Sequence, residues 1–302
     1  MLNRILIIIC LLLILIGCSG QKKDQQKITG LKEQVNNRLS DVQGDFAVAF
    51  KLLGDNSEVL FLHEQEVFHA ASTMKTPVMI ELYKQVEEGK FKLDDSVQVI
   101  NSFKSIVDGS PFSMDINVDS QEGLYDKIGQ RVTYRELNYQ MITKSSNLAT
   151  NILIDHLGAK QVTQTMRDLG AMNIQVLRGV EDLKAFEQGL SNTTTALDLL
   201  LIMESIANGQ AVSKEASAEM FEILRDQHFN EIIPAFLPEN VIVAHKTGSI
   251  TGVRHDSGIV RLPDGKEYVL VLLSKNLTSL ESGVRAMAEV SRMVYNYVEN
   301  KE

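Results

Sequence analysis

The sequence predicts an α+β fold: one antiparallel sheet built from the N- and C-terminal segments, flanked by helices, plus an all-helical lobe. Three observations predict it. Two strand-like runs joined by turn formers lie near the start of the chain, and three more lie near its end. Between them, apolar residues recur at helical spacing, bounded by caps and stops. A site is expected in the cleft between the two lobes.

The chain opens with "MLNRILIIICLLLILIGCSGQKKDQQ". Arg4 precedes an apolar run from Ile5 to Ile16, followed by Gly17-Cys18 and a polar stretch. This is the plan of a secretory signal, and the run is too short to span a bilayer comfortably. "LIGC" resembles a bacterial lipobox, which implies cleavage before Cys18 and a lipid on that residue. The expected organisation is a signal peptide over 1–17, a lipidated tether over 18–27 and one folded domain over 28–302. The protein is then exported and lipid-anchored to a bacterial membrane through Cys18, facing away from the cytoplasm. The chain's other cysteine, Cys10, leaves with the signal. A domain without thiols or disulfides must rely on its core, and this length can supply one.

"ITGLKEQVNNRLSDVQGD" reads as a helix ending at Gly44, with Leu31, Val35 and Leu39 four residues apart. "FAVAFKLL" and "EVLFLHE" follow as a hairpin turned by "GDNS". The helix beginning around Ser72 stops near Gly89. "VTYRELNYQMIT" opens with a capping box, Thr133 to Glu136, and a staple pair, Val132 with Leu137. "SSNLATNILIDHLG" and "TTTALDLLLIMESIANG" are further helices, the second capped by Thr195 and Asp198. "NVIVAHKTG", "SGIVRL" and "EYVLVLLSKN" return to strands, and a last helix carries Val284, Met287, Val294 and Val298 on one face.

Removing Arg4, the single charge in the cleaved segment, takes the formal charge from −9 to −10. With no basic patch, nucleic acid is not an expected partner. The six histidines are scattered without ligand spacing, so neither a metal nor another cofactor is expected. A monomer is expected.

"FHAASTMKTPVMIELY" places Ser72 and Lys75 one helical turn apart. Such a pair can be a nucleophile with its activating amine, or a helix cap followed by a solvated lysine. Two further stretches bear on the choice: Ser145-Ser146-Asn147, and Lys246-Thr247-Gly248 on a strand. S-x-x-K, S-D-N and K-T-G in this order are the signature set of class A β-lactamases and penicillin-binding proteins. The chain resembles that superfamily, class A in particular, over essentially the whole domain.

The resemblance implies a β-lactamase/D,D-peptidase-like fold and a serine hydrolase acting through an acyl-enzyme on Ser72. A serine hydroxyl needs a base, and Lys75 can serve once burial or a neighbouring cation such as Lys246 makes its amine partly neutral. Ser145 would pass a proton to the leaving nitrogen, and Asn147 would bind the substrate amide. Lys246 and Thr247 would hold the substrate carboxylate, with Arg254 a further candidate or a plain surface charge. The oxyanion hole would be the backbone N–H groups of Ser72 and Ser249. Ser146 stands where the family has aspartate, a mainly structural residue there.

Deacylation in class A uses a loop glutamate with an asparagine downstream. In "LRGVEDLKAFEQGLSNTTT", Glu181 is the candidate base, with Asp182 and Glu187 as alternatives. Lys184 stands where the asparagine is expected, and Arg178 with Asn192 matches the arginine–acid pair that pins the loop. The implied substrate is a β-lactam, or a peptidoglycan-type peptide for a D,D-peptidase- or esterase-like enzyme with slow β-lactam turnover. A non-catalytic wall-binding lipoprotein is the reading from another class. The insert at 105–130 is expected to overhang the cleft.

Overall fold

The computed structural model describes residues 26–54 and 58–301. The expected signal segment, Cys18, nearly all of the tether and part of the "GDNS" turn lie outside the described residues. The strands are β1 (Asp45–Leu52), β2 (Val59–Leu62), β3 (Phe68–His69), β4 (Ser96–Gln98), β5 (Phe103–Lys104), β6 (Pro111–Phe112) and β7 (Arg131–Thr133). They continue with β8 (Thr193–Thr194), β9 (Ile242–Ile250), β10 (Val253–Arg261) and β11 (Glu267–Lys275). The helices are α1, which covers 26–40, then α2 (Lys75–Glu87), α3 (Tyr134–Thr143), α4 (Asn147–Leu157) and α5 (Ala159–Asp168). After them come α6 (Leu183–Glu187), α7 (Ala196–Ala207), α8 (Lys214–Arg225) and α9 (Leu280–Glu299).

The main sheet runs β2-β1-β11-β10-β9, every neighbouring pair antiparallel. Both ends of the chain build it, as the sequence predicts. Alternation gives it two apolar faces. On β11, Tyr268, Leu270 and Leu272 pack with Val35 of α1 and Met287, Val290 and Val294 of α9. Val269, Val271 and Leu273 face the other way, beside Ala47 and Ala49 of β1, into the helical lobe. Each such Val or Leu withdrawn from water contributes about 1.5–3 kcal/mol.

Inside the lobe, α2 is buried from Lys75 to Tyr83, with Val78, Met79, Ile80 and Leu82 fully enclosed. A helix buried on all sides is a core helix and a rigid support for whatever begins it. Capping follows the sequence only in part. Thr133 Oγ1 accepts from Glu136 N at 3.1 Å, but the Glu136 carboxylate goes to Lys127 and Gln140, so the box is one-sided. Thr195 Oγ1 likewise accepts from Asp198 N at 3.1 Å. The first helix stops at 40, short of Gly44, and α5 and α8 are helices that the sequence reading passes over.

Candidate active site

Ser72 lies in a single 3-10 turn, Ala71–Met74, directly before α2. Ala71 has φ +45°, a left-handed conformation costly for alanine. The turn is held by neighbours: Ala71 N donates to His69 Nδ1 (3.0 Å), Thr73 Oγ1 to Ala70 O (2.6 Å) and Ala70 N to Asn192 O (2.8 Å). Ser72 Oγ has no hydrogen-bond partner among the described residues. It lines a cavity of about 330 Å³ together with Asn147, Glu181 and Ser249.

Lys75 is fully buried, and its Nζ donates to Ser145 O (2.6 Å), Ser145 Oγ (3.2 Å) and Asn147 Oδ1 (2.9 Å). The solvated-lysine reading is therefore wrong. Burial pushes the Lys75 amine down to about 7, while the carboxylates of Asp119 and Glu181 pull it back up. Near neutral pH it can give or take a proton. Lys246, equally buried, donates to Ser145 Oγ (3.0 Å) and Thr247 O (2.9 Å). Burial, and then the charge on Lys75, hold Lys246 well below the usual lysine range. Ser145 thus accepts from two amines, and its left-handed φ of +55° turns both its carbonyl and its hydroxyl toward Lys75.

Asn147 opens α4 and joins two groups. Its Oδ1 accepts from Lys75 Nζ and its Nδ2 donates to Glu181 Oε1, both at 2.9 Å. Glu181 therefore stands at the centre of the site, despite its irregular sequence context. Its other oxygen accepts from Asp115 N at 3.3 Å, and burial raises its pKa above the usual carboxylate range. The alternatives are placed elsewhere. Asp182 caps α6 and accepts from Ser105 Oγ (2.9 Å), Ile106 N (2.9 Å) and Ala185 N (3.2 Å). Glu187 is exposed.

Two expectations for this loop need correction. Lys184 does not take the asparagine's place beside the glutamate: it turns to the insert, donating to Asp108 (3.0 Å) and Ser110 Oγ (2.6 Å). Asn192 does not meet the Arg178 guanidinium. Its carboxamide clamps the backbone, accepting from Leu177 N (2.8 Å) and Arg178 N (3.2 Å) and donating to Arg178 O (2.9 Å). The buried guanidinium instead donates to Leu190 O and Gly179 O, both at 2.9 Å.

On the opposite wall, β9 is an edge strand, so part of its backbone faces the cleft. Thr247 and Ser249 also line a second cavity of about 820 Å³, with Arg254 among its walls. Gly248 explains how closely this strand approaches the turn. A Cβ there would lie 3.2 Å from Ala71 Cβ and Thr73 Cγ2 and 3.3 Å from Ser72 N. Gly248→Ala should therefore displace the backbone donors by a few tenths of an ångström and slow acylation about tenfold or more, measured by stopped-flow. An unchanged acylation rate would show that the close approach has no catalytic purpose.

Sequence reasoning missed Asp119, whose carboxylate accepts from Asn147 N (3.0 Å) and Leu148 N (2.9 Å). Nothing local marks it, because its partners lie 28 and 29 residues away. His69 was missed as well. It supports the Ser72 turn through Nδ1, and His255 Nε2 lies 2.9 Å from its carbonyl.

The Beta-lactamase enzyme family matches residues 30–298. Among curated proteins, β-lactamase VEB-1 of Pseudomonas aeruginosa is 21% identical, covering 99% of both chains. β-Lactamase CTX-M-97 of Escherichia coli is 27% identical over 82% of this chain and 79% of its own. Among solved structures, PBP-A superposes with a TM-score of 0.79 at 29% identity, covering 90% of this chain and 97% of that one.

Proposed function

The chain belongs to the β-lactamase enzyme family, and from that premise we propose that it opens β-lactam rings through a covalent acyl-serine on Ser72. The observation that carries this reading is the meeting of Lys75, Lys246 and Ser145 beside Ser72, with Glu181 joined to the same network through Asn147. Ser72 Oγ attacks the lactam carbonyl, and its proton passes to Lys75. Backbone N–H groups of Ser72 and Ser249 hold the developing oxyanion. The C–N bond then breaks, and Ser145 gives its proton to the leaving nitrogen and regains one from a neighbouring amine. Glu181 next takes a proton from water, the hydroxide attacks the ester, and Ser72 leaves with its proton restored. Lys246 and Thr247, with Arg254 nearby, hold the substrate carboxylate.

A second reading is favoured by the residues after Glu181. With Lys184 turned to the insert, no asparagine follows the glutamate to share the water. Deacylation would then be slow, as in a D,D-peptidase- or esterase-like enzyme acting on a peptidoglycan-type peptide. Steady-state turnover of benzylpenicillin, compared with a D-alanyl-D-alanine peptide and a simple thioester, separates the two. Faster turnover of the peptide or thioester would overturn the β-lactamase reading.

The same proposal includes export by residues 1–17 and anchoring through a lipid on Cys18, supported by the "LIGC" stretch. Cys18→Ala should move the protein from the membrane fraction to the soluble fraction. Retention in the membrane fraction would refute the anchor. The proposal includes a working monomer. A dimer that loses activity on dilution would contradict it.

A further inference from the structure

The motif Ser145-Ser146-Asn147 carries a serine at its centre, and that serine is occupied as a helix cap, accepting from Ala149 N at 3.2 Å. The two N–H groups that begin α4, those of Asn147 and Leu148, are therefore left to another acceptor. Asp119 supplies it from the insert, one oxygen to each at 3.0 and 2.9 Å. A carboxylate is well placed at the N-terminus of an eleven-residue helix, where the backbone dipoles point positive charge at it. Asp119 is 7% exposed. Tyr125 Oη donates to it at 3.1 Å and Gln121 N at 3.2 Å. Ser120 Oγ beside it donates to Lys144 O at 2.6 Å, tying the insert to the chain just before Ser145.

We propose that Asp119 is the positioning acid of this site: it supplies from a separate segment the carboxylate that the motif lacks, and fixes Asn147 between Lys75 and Glu181. The inference rests on the acyl-serine reading above. Asn147 has one amide oxygen and one amide nitrogen to distribute, and a small rotation at the start of α4 would lose either Lys75 or Glu181. Holding both of its neighbouring N–H groups removes that freedom.

Asp119 also acts as a fixed charge. It raises the pKa of Lys75, alongside Glu181 and against burial. It raises that of Glu181, alongside burial and Asp115 and against the hydrogen bonds from Asn147 and the Asp115 backbone. Lys246, held down first by burial and then by Lys75 and raised by Asp256, completes the set of charges around Lys75. Removing the Asp119 charge therefore moves both Lys75 and Glu181 downward. Any acid limb that reports either group shifts to lower pH.

The test uses the full chain and its Asp119→Asn and Asp119→Glu variants, with benzylpenicillin acylation followed by time-resolved intact mass across neutral pH. Asp119→Asn should move the acid limb down by about half a pH unit or more, since a neighbouring unit charge has at least that effect. Its plateau rate should fall about tenfold or more, because each N–H is held by a separate carboxylate oxygen and the amide puts a donating NH2 in place of one of them. Asp119→Glu, which keeps the charge on a longer arm, should keep the limb and lower the plateau. A folded Asp119→Asn protein with the wild-type limb and plateau would overturn the inference. If that variant does not fold, Asp119→Glu decides alone, and an unchanged plateau overturns it. The two readings fail separately: a wild-type chain that forms no adduct sinks the acyl-serine mechanism, whereas a normal wild-type adduct with an unaffected variant sinks only the role of Asp119.

Discussion

Replacing Ser72 with alanine eliminates the covalent adduct and lowers benzylpenicillin hydrolysis by at least ~1,000-fold, because the residual site has donors but no nucleophile. The melting temperature should barely move. Ser72 is only half-buried and its hydroxyl has no hydrogen-bond partner among the described residues, so the substitution leaves no orphaned donor or acceptor. That combination distinguishes a nucleophile from a structural serine. A hydroxyl holding up the Ala71–Met74 turn would cost stability on removal, but the turn is held by Thr73, His69 and Asn192 instead. An alanine variant that still forms the adduct would place the nucleophile on another residue.

Glu181→Gln should give the second-largest effect and a different signature. Acylation persists while deacylation slows by about 100- to 10,000-fold, the usual range for a lost general base. Glutamine keeps the contact with Asn147, since its carbonyl oxygen can accept from Asn147 Nδ2, and loses only the longer one from Asp115 N, because an amide NH2 cannot accept. Its left-handed φ of +62° is set by the loop and does not depend on the carboxylate charge. The measured consequence is consumption of one equivalent of β-lactam, whose opened ring stays on Ser72 as a stalled acyl-enzyme. Because burial raises the pKa of Glu181, the wild-type enzyme should also lose deacylation as pH falls through that raised value. Protonated Glu181 cannot take a proton from water. Unimpaired deacylation in Glu181→Gln would transfer the role to another group. Asp182 is poorly suited, with both its oxygens holding the insert and α6.

Most of the fold was legible because alternation along β1 and β11 has one physical meaning, two buried faces on one sheet. Ser72, Lys75, Ser145, Asn147 and Lys246 stood out through three motifs in the order of the resembled superfamily, and the structure joins Lys75, Ser145, Asn147 and Lys246 in one hydrogen-bonded network. What sequence spacing could not give was the geometry of the loop around Glu181. Lys184 occupies the expected place of the asparagine only in the linear sequence. In space the attraction of Asp108 and the hydroxyl of Ser110 turn it outward. Asn192 was matched to an acid that grips an arginine side chain, yet a carboxamide can both donate and accept, and it bridges the backbone instead. Asp119 was invisible for a related reason. Its partners are backbone N–H groups, which every non-proline residue carries, so no pattern of side chains announces the contact. α8 could have been found from Ser213 and the buried Ala216, Met220, Phe221 and Leu224, spaced as one helical face.

The central claim is turnover through an acyl-serine, and intact mass spectrometry of the full chain mixed with benzylpenicillin tests it most directly. A transient adduct should map to Ser72 and decay while hydrolysed penicillin accumulates beyond one equivalent. A persistent adduct without turnover would favour the peptidase-like reading, with Glu181 an ineffective base. No adduct with benzylpenicillin or a reactive ester, and no hydrolysis of either, would contradict the mechanism itself.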